Sequence, residues 1–468
     1  MSTAEILDTT EEPLEPAKIR RLEASLRGSL LQPGTVAYEA ARRVHNAMID
    51  RRPSLIVRCA GVSDVVHAVH FARENELLVA VRGGGHNVAG TAVCDGGIMI
   101  DLSQLKGIRV DPADRTIRAD AGVRWGELDH EAQAFGLGTT GGAVSTTGIA
   151  GLTLGGGLGV LMRKHGLACD NVLSIDVVTA DGVFLTASAA ENVDLFWALR
   201  GGGGNFGVAT AFEYRLHPVG TVLGGLVLYP WDRARDMFAF YRDFTATAPD
   251  ELTAYAALVT SPEGVRLSAI FACYAGSLAV GEAVLRPLRE FGPPMADLIC
   301  PMPYVDLQKT FDPTAPPGLL NYWKSSFLQE LSADATDQMI AAYATAPSSL
   351  TSIVVEHLGG AVSRVGEGET AFNHRTRPYA ATAASLWRDV TQSEANITWT
   401  RRLWDAIRPA TGDAVYANYL SGDEGELRVR AAYGSNYERL VSVKNTYDPT
   451  NVFRMNHNIK PSVEVTLG

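Results

Sequence analysis

The sequence predicts an α+β fold on three observations. Glycine is concentrated before residue 218, in clusters at 83–85, 141–159 and 201–207. A strand–helix–strand unit over residues 53–82 leads straight into the first cluster. Beyond residue 218 the glycine density drops and alternating apolar strands are interspersed with helical stretches, as in an antiparallel sheet covered by helices on one face.

The 468 residues exceed a single core, and a prior of about 100–200 residues per domain gives two or three domains. Residues 1–16 are acidic and carry Pro13 and Pro16, the pattern of a loose tail. A helical pattern follows from Ile19, and the chain becomes extended around 53–58. Ser63 is positioned to cap an amphipathic helix over 64–74, and 77–81 reads as the next strand. His67 and His70 lie three apart on that helix, but with no third ligand nearby they read as ordinary surface histidines and no metal site is expected. Residues 96–101 and 115–120 alternate as short strands, and 125–135 reads as a helix. Two apolar runs at 171–179 and 183–186 flank Ala180-Asp181-Gly182, a hairpin signal. A short helix at 194–200 and a strand at 208–216 complete the glycine-rich part. Beyond it, strands are expected at 224–229, 267–274 and 351–358 and helices at 234–245 and 336–345.

The glycine clusters carry the chemistry. Three consecutive glycines after an apolar strand, Arg82-Gly83-Gly84-Gly85-His86-Asn87, surrender more backbone entropy than a surface turn requires. Bare main chain of this kind makes an anion nest suited to a diphosphate, with Arg82 as a charge beside it; an ordinary surface loop is the alternative. The loop lacks the G-x-G-x-x-G spacing at a helix start, so it is not a Rossmann turn. Eight glycines among the nineteen residues 141–159 leave few side chains to pack, and a flat or extended ligand lying on main chain explains both stretches.

The net charge of −11 and the absence of any Lys/Arg run exclude nucleic acid and an anionic membrane as main partners. No apolar run reaches the ~18 residues of a membrane span. The N-terminus has neither the basic nor the apolar region of a signal peptide. The five cysteines form no C-x-x-C, and as an odd number they read as free thiols of a reducing compartment. A cytoplasmic location is expected.

Five motifs in order, Arg82 to His86, the tract 141–159, Gly166 to Asn171, Leu199 to Gly207 and Tyr437 to Asn458, resemble the FAD-linked oxidases of the berberine-bridge-enzyme-like branch, within the vanillyl-alcohol-oxidase superfamily. The resemblance implies an FAD-binding domain of the PCMH type (two α/β subdomains) over 1–218, with its core at about 50–218. It implies a substrate domain over 219–415 and a C-terminal segment, 416–468, that completes the FAD domain. FAD is the implied cofactor. Arg82, Gly83, Gly84, Gly85, His86, Asn87, Thr146, Thr147, Gly148, Gly151, Gly156, Gly157, Val208, Asn456 and Asn458 are its implied binding residues. His86 matches the histidine that relatives join to the flavin 8α-methyl, and a neutral imidazole nitrogen is nucleophilic near pH 7. The second, cysteinyl link of many relatives falls at Val144, so one covalent link is expected. Cys169 belongs to a different motif. The position that gates oxygen in relatives falls at Thr147, small enough to admit it.

Such an oxidase moves a hydride from a substrate carbon to the flavin while a base takes the neighbouring proton. The glutamate used by some relatives after Phe372-Asn373-His374-Arg375 is missing from the following strand. Three candidates replace it. Tyr416, in Tyr416-Ala417-Asn418-Tyr419, resembles the base of carbohydrate-oxidising relatives and needs a cation beside it; Lys324 resembles a pocket lysine that would be that cation. Glu356 shares a strand face with Val354 and Leu358, and acts as base or amine anchor if that face meets the flavin. If the face points away, His357 takes its place. The expected function is an FAD-dependent oxidase that acts on an alcohol or amine carbon of a mid-sized small-molecule substrate, a natural-product intermediate or sugar, with O2 as acceptor and hydrogen peroxide as product. A flavin-dependent oxygenating tailoring enzyme and a non-catalytic flavin-binding protein are the alternatives.

Overall fold

The structure is a computed structural model that describes residues 14–462. The tail expected at 1–16 falls largely outside these residues, and Pro16 opens the helix Pro16–Ser25. Proline suits a first helical position because it has no N–H to leave unsatisfied there.

Three sheets organise the chain. Leu55–Arg58, Ile98–Asp101 and Val79–Arg82 run parallel, in that order, with Ser29–Leu31 added antiparallel to Leu55–Arg58. The strand–helix–strand unit is therefore present, with the helix at Val62–Glu74. Ser63 does not cap it. The helix starts two residues earlier than expected, at Val62 after Gly61, and has no side-chain cap. Asp64 in the first turn accepts instead from the backbone N–H groups of Arg27, Gly28 and Ala60. An antiparallel five-stranded sheet follows, Ile108–Asp111, Thr116–Asp120, Val208–Arg215, Val172–Val178 and Phe184–Ser188 in spatial order. The hairpin read around Ala180-Asp181-Gly182 closes with Val178 opposite Phe184. Within the glycine tract a short helix forms at Ile149–Leu154, which bare composition did not suggest; Ile149, Ala150, Thr153 and Leu154 give it one buried stripe.

The third sheet is the expected antiparallel one, with eight strands centred on Leu252–Thr260, Ser352–His357 and Tyr379–Trp387. One face packs on the helices Ala234–Ala246, Leu278–Glu290, Ala333–Tyr343 and Ser393–Thr411 through Phe238, Leu285, Met339 and Trp404. Two of these helices were not read from the sequence. Leu278–Glu290 contains Gly281 and Pro287, and Ser393–Thr411 carries Asn, three Thr and Pro409, poor helix formers that packing overrides. The other face presents Tyr255, Phe271, Phe327 and Ala380 to Leu158 and Leu161 from the glycine-rich half and to Tyr416 from the C-terminal segment.

One apolar core joins residues 22–216 to Val415, Leu420, Tyr437, Leu440, Phe453 and Ile459. The buried ion pair Lys444–Asp448, 2.6 Å long, fixes that closing segment, with Lys444 Nζ also donating to the carbonyls of Asn205 and Phe453. Among the described residues no helix is long and apolar enough to cross a membrane, and no disulfide forms.

Candidate active site

A long cleft opens where the parallel sheet, the glycine tract and the third sheet meet. Its walls are Gly83 to Asn87, Gly142 to Val144, Thr147 and Gly148, Gly151, Leu152, Leu154 and Gly155, Gly203, Gly204, Gly207 and Val208, then Ala417 to Tyr419 and Asn456 with His457. Ala315, Asn321, Trp323 and Leu386 close the far end from the third sheet. Among the described residues, no Asp, Glu, Lys or Arg side chain lines it.

The glycines permit main chain to touch main chain. A Cβ on Gly84 would stand 2.3 Å from the nitrogen of Gly148, and one on Gly148 would stand 2.3 Å from that of Gly84. No side chain survives that distance, so the loop after Val79–Arg82 lies directly on the start of Ile149–Leu154. Gly151 differs: a Cβ there would meet nothing within 4 Å and would project into the cleft.

His86 stands in this wall. Its Nε2 is 2.9 Å from Thr146 Oγ1 and its Nδ1 is 3.4 Å from Thr147 Oγ1. The ring stacks on His45 with centroids 4.0 Å apart at 22°. Burial, helped by the nearby charges of His45 and Arg124, pushes its pKa down to about 3, so the imidazole is neutral at physiological pH.

Across the cleft, Tyr419 lines the wall and its Oη donates to Glu356 Oε1 at 3.5 Å. Alternation along Ser352–His357 sends Ile353 and Val355 to the helices, and Val354 and Glu356 to the cleft side. Glu356 Oε2 is buried without a partner. Burial raises the carboxyl to about 7, against the lowering effect of the Tyr419 hydrogen bond.

With this geometry in view, comparison with known proteins is direct. The family described as FAD binding domain matches residues 53–188, and the family described as berberine and berberine like matches 415–460. An FAD-linked oxidoreductase of Dictyostelium discoideum is 34% identical over 442 residues, which are 93% of this chain and 95% of that protein. The chain belongs to the FAD-linked, berberine-bridge-like oxidoreductases. It is similar to (R)-6-hydroxynicotine oxidase of Paenarthrobacter nicotinovorans, 30% identical over 93% of this chain and 97% of that one. The crystal structure of 6-hydroxy-D-nicotine oxidase from Arthrobacter nicotinovorans superposes with a TM-score of 0.86 at 29% identity, covering 94% of this chain and 99% of that one. Physcomitrella patens BBE-like 1 gives 0.87 at 26%, covering 96% and 100%.

The cleft of this FAD-linked oxidoreductase fits its cofactor. Gly151 leaves open space that any larger residue would fill, and the buried Nε2 of His457, in the wall, has no partner. With no Lys or Arg in the lining among the described residues, neutral donors and backbone N–H groups would be the partners left for a diphosphate.

Several sequence expectations change. Arg82 is not a charge beside that anion: its guanidinium is spent on buried Asp101, at 3.0 Å from Nε to Oδ1, and on the carbonyl of Ala41. Gly156 and Gly157 turn away from the cleft, toward Phe372 and Ala168, and Asn458 is outside the lining, whereas Asn456 lies in it and donates to Gly204 O at 2.7 Å. Tyr416 is not placed as a base. It is 1% exposed and lies behind the wall, where its Oη accepts from Gly157 N–H at 2.9 Å and from Asn418 Nδ2 at 2.7 Å. Burial also raises its pKa. Lys324 is not its cation. Trp323 faces the cleft, so Lys324 points to the opposite side of the strand and pairs with Glu424 at 2.7 Å and Asp423 at 3.4 Å. His357 lines a separate cleft with Asp250 and Tyr379, where its Nε2 accepts from Arg163 Nη1 at 3.3 Å. The residues missed were Tyr419, His457, Trp323, Asn321 and His45. Tyr419 was visible inside the Tyr416-Ala417-Asn418-Tyr419 motif and His457 between Asn456 and Asn458, while the others carried no sequence signal.

Proposed function

We propose that this enzyme is an oxidase in which FAD, attached to His86, accepts a hydride from the hydroxyl-bearing carbon of an uncharged mid-sized substrate and O2 takes the electrons as hydrogen peroxide. Gly83, Gly84, Gly85, Asn87, Thr147, Gly148, Gly151, Val208, Asn456 and His457 hold the cofactor. Residues up to 218 with 416–468 form the FAD domain in this reading, and 219–415 supply the substrate end. Bound FAD supplies the two-electron acceptor; the chain supplies the proton path.

The observation that carries the reading is the Tyr419–Glu356 pair. A phenol alone is a poor base, with a pKa of about 10, and burial and the Glu356 charge raise that of Tyr419 further. Hydrogen-bonded to a carboxylate, however, Tyr419 passes its own proton to Glu356 as it takes one from the substrate hydroxyl. The apolar wall of Trp323 and Leu386 beside Tyr419 disfavours water at that step. A permanently charged ligand would have no counterion in the lining, and unpaired buried charge is costly, so an amine enters only in its neutral form. The name of the nicotine-oxidising relative supports oxidase chemistry on a small organic molecule, and the small Thr147 and Val144 in the wall support oxygen access.

Tyr419→Phe is expected to slow anaerobic flavin reduction by at least about a hundredfold, the ordinary worth of a general base. Tyr416→Phe should have a far smaller effect. Equal losses in both variants, or label from 18O2 in the organic product instead of in peroxide, would overturn the reading.

A further inference from the structure

The surroundings of His86 bear on how a link to FAD would be made, and the argument rests on the covalent reading above. A neutral imidazole has one nitrogen with a proton and one with a lone pair, and only the second attacks carbon. The two nitrogens of His86 have different neighbours. Nδ1 is next to Thr147, whose side chain lines the cleft; Nε2 is next to Thr146, which does not line it. The 2.9 Å contact of Nε2 is a good hydrogen bond, while the 3.4 Å contact of Nδ1 is long.

We infer that Thr146 Oγ1 accepts the Nε2 proton of His86 and thereby selects the tautomer whose lone pair, on Nδ1, faces the cleft. Thr146 is thus a positioning residue for flavin attachment, and Nδ1 is the attaching atom. His45 completes the device. Its backbone N–H donates to Gly85 O at 2.9 Å and its carbonyl accepts from Gly318 N–H at 3.2 Å, so its ring is a fixed plate against which the His86 ring lies flat. Stacked at 22°, the two imidazoles cannot exchange a proton directly, which leaves Thr146 as the proton's holder.

The step balances. One C–H bond of the flavin 8α-methyl and one N–H bond of His86 are replaced by a C8α–Nδ1 bond. The two hydrogens, with two electrons, leave on O2 as hydrogen peroxide. The Nε2 proton is the nitrogen-bound hydrogen of that balance: as the imidazole becomes alkylated, the Thr146 hydroxyl would accept it only while releasing its own, so Thr146 relays the proton, stays neutral itself and leaves the ring neutral.

The test reads attachment, not turnover. Wild-type, Thr146→Val, Thr146→Ser, His45→Phe and His86→Ala proteins are loaded with FAD and unfolded in acid at timed intervals, and the flavin that stays on the chain is counted by intact mass and in-gel fluorescence. Thr146→Val should attach flavin at least about tenfold more slowly, the effect of one lost hydrogen bond, while its visible spectrum before unfolding shows FAD bound in an intact cleft. Thr146→Ser, which keeps the hydroxyl, should recover to within about threefold of wild type. His45→Phe, which keeps the stacked plate, should also attach. Nuclear magnetic resonance of the wild-type flavin peptide should show substitution at Nδ1. Attachment of Thr146→Val at the wild-type rate, or a wild-type peptide joined through Nε2, would overturn the assignment. A wild-type protein that releases all its flavin on unfolding would instead sink the covalent reading itself, and His86→Ala supplies its baseline.

Discussion

Gly84 and Gly148 meet main chain to main chain on one side of the cleft, whereas Tyr419 and Glu356 meet through side chains on the other, from segments 63 residues apart. The first contact depends on what the residues lack and tolerates no addition. The second depends on the chemical groups they carry. The cofactor side therefore reads as a list of glycines, and the substrate side as a geometry that appears only when a strand and a short turn are brought together.

Substitutions at the two sides should fail differently. The most far-reaching effect is expected for Gly84→Ala, which strikes the cofactor on which every turnover depends: its new methyl would collide with the backbone of Gly148. Flavin absorbance per mole of purified protein should fall at least about tenfold, since backbone cannot yield as a flexible side chain can. Tyr419→Phe comes next, with its loss of about a hundredfold in flavin reduction and undiminished flavin content. If it also emptied the cleft, the division between the sides would not hold.

A middle-sized effect belongs to the contact that fastens the sides together. Arg375, 1% exposed, holds Asp170 with two 2.7 Å bonds that join the loop after the tract to the Phe372-Asn373-His374-Arg375 motif. Asp170→Asn should cost about 3–5 kcal/mol, because it leaves a buried guanidinium uncompensated. The midpoint in guanidinium chloride should drop accordingly, far more than for an exposed pair such as Arg408–Asp413.

The pH profile sharpens the substrate side. Glu356 accepts the proton only when ionised, and with a pKa raised to about 7 its ionised fraction grows as pH rises through neutrality. The log of kcat/KM should therefore climb with pH up to about 7 and level off above it. Glu356→Gln should remove that limb and lower the plateau. The smallest effect is expected at Gly151. Alanine there should stabilise the short helix by up to about 1 kcal/mol, yet its methyl would enter the cleft and should weaken FAD binding, read by titrating FAD into flavin-free protein carrying His86→Ala, with and without Gly151→Ala. Tighter binding would show that the cofactor does not lie against this turn.

This contrast also explains what could be read from the sequence. The glycine clusters, the strand before Gly83 and the hairpin at 172–188 were legible because backbone demands restrict residue type. The antiparallel sheet beyond residue 218 was legible from alternation. The residues proposed to handle the proton were not, because strand parity and turn direction decide them. Tyr416 and Tyr419 share one motif, and only the 3-10 turn Ala417–Tyr419 sends the second into the cleft and the first behind it. Lys324 and Trp323 are neighbours on one strand, so a single step in register exchanges a buried ion pair for the substrate wall. Arg82 drew attention for its place beside three glycines, yet Asp101, directly opposite on the parallel neighbour strand, claims it.

The closing segment sets an order of events on the ribosome. Residues 55–215 leave the exit tunnel first, but the core they belong to lacks the wall supplied by Leu420, Tyr437, Phe453 and Ile459 until those residues have also been made. The third sheet, whose strands end at Trp387, can be assembled before then. The cradle is therefore the last part of the molecule to be completed, and FAD meets its full wall only on a nearly finished polypeptide.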